Sequence, residues 1–257
     1  NKPNYVFAAA AKVGGIEANI KYSNDFLVEN TIMQNNLIMS CHYNDVNNFM
    51  FFGSSCIYPK LSKQPIKEEY LLSGKLEETN ELYALAKISG LKLCQNIRRQ
   101  FNRNYVCVMP TNLYGRKDSY GKNKSHVIPA IIKKVFEAKI KKESSIELFG
   151  TGKALREFLH AEDLARACEL IFKKNKNYSL INIGSGKEIS IKNLALLVAS
   201  KLKHNIKIDY NINIPDGTPR KILDSSKIRG LGWKPKVSLE KGLEDTIKDY
   251  RLNYVNL

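Results

Sequence analysis

No apolar stretch in these 257 residues is long enough to cross a bilayer. The longest runs, such as Leu194 to Ala199, fall far short of the roughly 20 residues that a spanning helix needs. The five cysteines, Cys41, Cys56, Cys94, Cys107 and Cys168, are odd in number, scattered, and without Cys-x-x-Cys spacing. That pattern fits neither a disulfide framework nor a zinc site, so no metal is expected and a reducing, cytoplasmic setting is. The chain opens Asn-Lys-Pro-Asn and runs directly into an apolar segment, with no basic and apolar leader ahead of it, so secretion is not expected. Acidic residues are scarce: 25 Asp and Glu face 41 Lys and Arg, a net charge of +16. The basic excess is dispersed, as at Lys133, Lys134, Lys141, Lys142, Lys173 and Lys174, on segments that read as helix faces. Dispersal predicts a solvated basic surface rather than a nucleic-acid interface, with a field that draws in phosphorylated ligands.

What is present is an alternation of short apolar runs and amphipathic stretches. Tyr5 to Ala9, Phe49 to Phe52 and Tyr105 to Met109 read as buried parallel strands. Between them, Asp25 to His42 and Leu82 to Phe101 repeat apolar residues at helical spacing. Such alternation predicts an α/β sheet with right-handed crossovers. Beyond Pro110 the pattern loosens: helices are expected at Val127 to Ala138, Ala161 to Phe172, Ile191 to Leu202 and Leu239 to Tyr250, and strands at Ile146 to Phe149, Leu180 to Ile183 and Lys207 to Tyr210. A smaller second domain follows from that change.

Tyr83 and Lys87 stand four residues apart in Tyr-Ala-Leu-Ala-Lys, so both project from one helix face. An ammonium beside a phenol stabilises the phenolate, which predicts a Tyr83 able to exchange a proton with a carbonyl oxygen near neutral pH. The spacing is common by itself. Its context is not: the strand Phe49 to Phe52 leads into Gly53-Ser54-Ser55-Cys56-Ile57-Tyr58-Pro59, which sets a hydroxyl at a strand's C-terminal end, where α/β sheets build their sites.

With these residues the chain resembles the extended short-chain dehydrogenase/reductase family, and its segments resemble the GDP-L-fucose synthase branch. The matching stretches run in order from Ala9–Ile16 through Gly53–Lys60, Tyr83–Lys87, Met109–Gly115, Ser125–Ala130 and Arg156–His160 to Asp216–Lys221. The resemblance implies a Rossmann-like parallel sheet over residues 1–115 that binds NADP. Residues 116–257 are then mainly a smaller α/β domain for a GDP-sugar, with some elements returning to the first. It implies epimerisation at C3 and C5 of GDP-4-keto-6-deoxy-D-mannose and reduction at C4 with NADPH. In that scheme Ser54 and Tyr83 hydrogen-bond the C4 oxygen, Lys87 tunes Tyr83 and holds the nicotinamide ribose, Cys56 is the epimerisation base and His126 the acid. Phe52, Gly53, Ser54, Ser55, Lys87, Pro110, Thr111, Asn112, Leu113 and His126 would line the cofactor. Lys134, Phe149, Arg156, Asp216 and Arg220 would contact the substrate, with Arg suited to a diphosphate and Phe149 to stacking on guanine. His160 is expected to be structural. A sugar dehydratase would need an Asp-Glu pair where this loop reads Ser55-Cys56-Ile57.

The resemblance also implies a strand, a Gly-x-x-Gly-x-x-Gly turn and a helix ahead of the matched segments, and the 257 residues contain no such turn. Gly14 and Gly15 match a later loop. Roughly fifty residues of the dinucleotide-binding half are unmatched. A truncated reading frame is favoured over a separate chain or a relative that no longer binds NADP. This leads to three expectations: an unpaired sheet edge, exposed apolar surface, and weak NADPH binding by this chain alone. A homodimer is implied, packed through the helix bearing Tyr83 and the long helix before it.

Overall fold

The computed structural model describes residues 2–121, 125–175, 178–214 and 216–255. In chain order the elements are β1 (Tyr5–Ala8), α1 (Ile16–Lys21), α2 (Ser23–Tyr43), β2 (Asn48–Phe52), α3 (Glu81–Phe101), β3 (Asn104–Pro110) and β4 (Asn112–Tyr114). They continue with α4 (Val127–Lys141), β5 (Ser145–Phe149), β6 (Leu155–His160), α5 (Ala161–Lys174), β7 (Leu180–Ile183) and β8 (Glu188–Ser190). The chain closes with α6 (Ile191–Lys201), β9 (Lys207–Asn211), β10 (Arg220–Lys221), α7 (Ser226–Gly230) and α8 (Leu239–Tyr254).

The first sheet runs β1-β2-β3-β7, parallel throughout. Its strands are apolar on both faces because both are covered. On one side Ile38, Cys41, Phe49, Phe51, Leu91, Cys94 and Tyr105 are buried together under α2 and α3. Gly90 sets the closeness of that packing: a Cβ there would sit 2.8 Å from Gln34 Cδ and Phe51 Cζ. On the other side Met50, Val106, Val108 and Ile181 pack on Leu164, Ala167 and Ile171 of α5. The strand expected at Leu180 to Ile183 therefore belongs to the first sheet, brought back after the chain has left it.

A second core gathers α4, α6, α8 and the parallel pair β5–β9 around Ile128, Ile132, Val135, Leu194, Val198 and Leu243. Helix starts here are fixed by hydroxyls, with Ser190 accepting from Asn193 N at 3.1 Å and Ser238 from Lys241 N at 3.2 Å.

Between the two cores lies a small sheet that the sequence pattern did not indicate, ordered β10-β6-β4 with β8 antiparallel on β6. It is tied to the first sheet by polar groups. Thr111 Oγ1 and Asn112 Nδ2 donate to the Glu157 carbonyl at 2.9 and 2.8 Å. The fully buried Glu157 carboxylate accepts from Gly186 N at 2.6 Å and Leu223 N at 3.0 Å. Burial raises the Glu157 carboxyl above its ordinary range, opposed by those two backbone hydrogen bonds.

Among the described residues β1 pairs with β2 alone. Tyr5 and Phe7 are 54% and 50% exposed, each with its ring 5.2 Å from that of Phe172. This is the open edge and apolar surface expected from the sequence. Among the described residues no helix is long and apolar enough to cross a membrane.

Candidate active site

β2 ends at Phe52 and delivers Gly53, Ser54, Ser55 and Cys56 to the C-terminal edge of the first sheet, the side on which parallel sheets open a crevice. Gly53 N donates to Val108 O at 3.0 Å, so the loop leaves in line with β3. Ser54 Oγ then accepts from Cys56 N at 3.2 Å and caps the single turn Ser55–Ile57, which fixes hydroxyl and thiol in one bend of chain.

α3 passes beneath this bend. Lys87 is buried, its Nζ donating to Phe52 O at 2.9 Å and lying 4.9 Å from the Phe51 ring centroid. Tyr83, one turn earlier, faces the Ser54 hydroxyl and packs edge-on against Phe26 at 6.3 Å. Ser54, Tyr83 and Lys87 are thus assembled as the sequence predicted. Their electrostatics differ from that prediction. Burial pushes the Tyr83 phenol up, the charge of Cys56 adds to the rise, and the Ser54 hydroxyl only opposes it. Burial also pulls Lys87 itself down to about 8. Two groups that are both disfavoured in their charged forms share one proton-transfer site.

Among the predicted cofactor residues, Phe52 anchors Lys87 through its carbonyl, Ser55 is buried, and Pro110 closes β3. Thr111 and Asn112 spend their side chains on Glu157, and Leu113 packs half-buried on the core beneath α5. For a nicotinamide ribose the donor set fits: Phe52 takes one of the three Lys87 N–H groups, which leaves two for hydroxyls.

His126 is exposed at the N-cap of α4. No hydrogen bond or ion pair among the described residues joins it to Ser54, Cys56 or Tyr83. Its charge is felt by Asp118, whose carboxyl burial raises and Ser119 N and His126 lower. The Gly14–Gly15 loop lies beside the preceding residue, since a Cβ on Gly15 would sit 3.6 Å from Ser125 O.

The predicted substrate residues divide. Lys134 Nζ donates to Glu147 O at 2.8 Å and lies 4.5 Å from the centroid of the Phe149 ring, which is 42% exposed. Arg156 projects from β6, its Nη2 donating to Asp216 O at 3.2 Å. Burial lowers Arg156, while Cys56, Asp216 and Glu77 draw it back up. The Asp216 carboxylate is occupied with Thr151, accepting from its N at 2.8 Å and its Oγ1 at 2.7 Å, so its work in this fold is to close the turn before β6. Arg220 is paired on the surface with Glu188 at 2.9 Å.

Its neighbour Lys221 was missed. Lys221 Nζ lies 3.7 Å from Cys56 Sγ. The signal was available in Asp216–Lys221: two basic residues in succession on a strand point to opposite faces, so one turns inward when the other pairs outward. His160, expected to be structural, is buried at the N-cap of α5, where its Nδ1 accepts from Glu162 N at 3.4 Å.

Residues 1–184 match the model of the NAD dependent epimerase/dehydratase family. The chain is 48% identical to GDP-L-fucose synthase 1 of Arabidopsis thaliana, covering 99% of this chain and 79% of that protein. It is 46% identical to the GDP-L-fucose synthase of Escherichia coli K12, covering 94% and 78%. Among solved structures it is similar to MlghC, a GDP-mannoheptose C4 reductase from Campylobacter jejuni with NADP bound, at 34% identity and a TM-score of 0.86, covering 97% of this chain and 82% of that one. With Ser54 at the end of β2 set against Tyr83 and Lys87 of α3, and kinship of this extent, the chain belongs to the NAD dependent epimerase/dehydratase family of extended short-chain dehydrogenases/reductases, in its GDP-L-fucose synthase branch.

Proposed function

We propose that this protein epimerises GDP-4-keto-6-deoxy-D-mannose at C3 and C5 and reduces its C4 ketone to give GDP-L-fucose, with NADPH as reductant. The observation that carries the reading is the single bend that holds Ser54 and Cys56 against Tyr83. Protons on C3 and C5 are acidic because the C4 carbonyl delocalises the charge left behind, so one pair of donors on the C4 oxygen serves both epimerisations and the reduction. Ser54 and Tyr83 are those donors. Cys56 removes the carbon-bound proton from one face and His126 returns one to the other. When bound, NADPH supplies the hydride for C4. A Tyr83 kept protonated by burial suits the last step, in which it gives its proton to the C4 oxygen. Lys87 holds the ribose hydroxyls from below Phe52.

Lys134, Phe149 and Arg156 form the GDP side, with Arg156 facing the diphosphate and Phe149 offering a ring to the base. Residues 1–115 are the dinucleotide half and 116–257 mainly the sugar-nucleotide half, with α5 and β7 returning to the first sheet. A homodimer through α2 and α3 is supported by exposed Val28 and Ile32, one turn apart on α2, and Leu85 on α3. It should sediment at twice the monomer mass. All five cysteines are free, which suits the cytoplasm.

A GDP-sugar C4 reductase without epimerase activity is the second reading, favoured by the likeness to MlghC. Product analysis by NMR after incubation with the 4-keto sugar nucleotide and NADPH separates them. GDP-L-fucose is expected; a reduced D-manno product would support the simpler reductase, and no oxidation of NADPH at saturating concentration would contradict both.

A further inference from the structure

β10 pairs with β6 in parallel register, Arg220 opposite Leu155 and Lys221 opposite Arg156. Side chains alternate along β10, so Arg220 meets Glu188 at the surface while Lys221 turns inward beside Arg156, toward the bend after β2. There its ammonium lies 3.7 Å from Cys56 Sγ. Among the described residues no carboxylate pairs with Lys221, and the thiol is its only polar partner. The other charged or titratable groups around Cys56 are Arg156, whose guanidinium is drawn up by the sulfur's charge, and Tyr83, whose phenol that charge pushes up. Glu77 also faces Arg156 and is held by Lys60 at 3.7 Å.

We propose that Lys221 is the positioning residue of the epimerisation: it holds Cys56 as a thiolate aimed into the site, so that the last strand of the small sheet activates the base on the first. This rests on the reading of Cys56 as the carbon base. A thiolate, not a thiol, removes protons, and a neighbouring ammonium favours it by direct attraction. In the step itself the Cys56 sulfur takes the proton from C3, and later from C5. The electron pair of the broken C–H bond moves to the C4 oxygen held by Ser54 and Tyr83. His126 gives a proton to the opposite face as the enolate collapses. Cys56 then releases its proton to solvent and His126 recovers one, so both are reset for the second carbon.

The test is the rate of Cys56 alkylation by iodoacetamide at neutral pH, followed by peptide mass spectrometry on the full chain without added cofactor. The other four cysteines are buried and serve as slow internal references. Lys221→Met and Lys221→Gln are each expected to slow alkylation of Cys56 about tenfold, while Lys221→Arg, which keeps the charge, stays within about twofold of the wild type. The same neutral variants should slow solvent deuterium entry at C3 and C5 of the 4-keto sugar nucleotide by a similar factor. Unchanged alkylation in both neutral variants overturns the proposal. So does an arginine variant as slow as the neutral ones, since packing rather than charge would then be at work. Full deuterium exchange by Cys56→Ser would instead overturn the reading of Cys56 as base. Loss of exchange in Cys56→Ser with normal exchange in Lys221→Met would overturn the role of Lys221 alone.

Discussion

The first sheet and the small sheet meet at Glu157 and are held by different forces. β1, β2, β3 and β7 are runs of apolar residues sandwiched between helices, and their stability comes from area removed from water. β4, β6, β8 and β10 are two to six residues long, all but β4 carry charged residues, and they are placed by buried hydrogen bonds to Glu157 and by pairing across long stretches of chain. The chemistry follows the same division. The first sheet and the helix α3 packed on it present Ser54, Tyr83 and Lys87, groups that suit any ketone reduced beside a nicotinamide. The small sheet presents Arg156 and Lys221, the second 3.7 Å from Cys56, and in the proposed function they bear on the sugar nucleotide and on the epimerisation. In the proposed reaction a rigid apolar element carries the general step, and a polar one carries what is particular to the substrate.

The largest effect should come from the proposed proton donor on α3, beside the first sheet. Tyr83→Phe is expected to lower turnover about 100- to 10,000-fold in a spectrophotometric assay of NADPH oxidation, with GDP affinity unchanged. Retained turnover would show that the C4 oxygen takes its proton elsewhere.

The next comparison is one of stability. Phe51→Ala, which empties a site 1% exposed between β2 and α3, should cost about 3–5 kcal/mol in urea unfolding. Leu155→Ala, half-buried on β6, should cost about 1 kcal/mol. The single Trp233, buried and donating to Asp163 O at 3.2 Å, reports both by fluorescence. Equal costs would erase the distinction drawn between the two sheets.

Lys87 predicts a pH dependence. Burial lowers it from 10.5 to about 8, so across that window the unfolded chain keeps a proton that the folded protein gives up, and stability rises with pH. The wild type should gain about 2 kcal/mol on Lys87→Met between pH 8 and 10 in urea titrations. A constant difference would mean that Lys87 keeps its charge when buried.

The smallest effect is expected at Arg220. Its partner Glu188 lies on the surface, so Arg220→Ala should leave the urea midpoint and turnover unchanged. A rise in KM would restore Arg220 to the substrate contacts.

The same division explains what was legible in the sequence. Strands such as Phe49 to Phe52 and helices such as Leu82 to Phe101 announced themselves because burial on both faces, or on one stripe, writes a local pattern. Ser54, Tyr83 and Lys87 could be read for the same reason, since one strand end and one helical turn fix them. Arg-Glu-Phe-Leu-His at Arg156 to His160 carries no such pattern: Glu157 is a fully buried carboxyl, and its distant partners Gly186 and Leu223 make that tolerable. β10 has two residues and exists only by pairing with β6, so no local pattern marks which of Arg220 and Lys221 turns inward. The depressed Tyr83 phenol was expected from spacing alone. Spacing sets the neighbour but not the burial, and burial dominates here.

The central claim is that one bend of chain, backed by both sheets, activates the carbons on either side of C4. It is tested most directly by incubating the protein with GDP-4-keto-6-deoxy-D-mannose in deuterium oxide without NADPH and reading C3 and C5 by NMR. Deuterium entering at both carbons, and lost in Cys56→Ser, is the predicted result; no entry at either carbon in the wild type would contradict it.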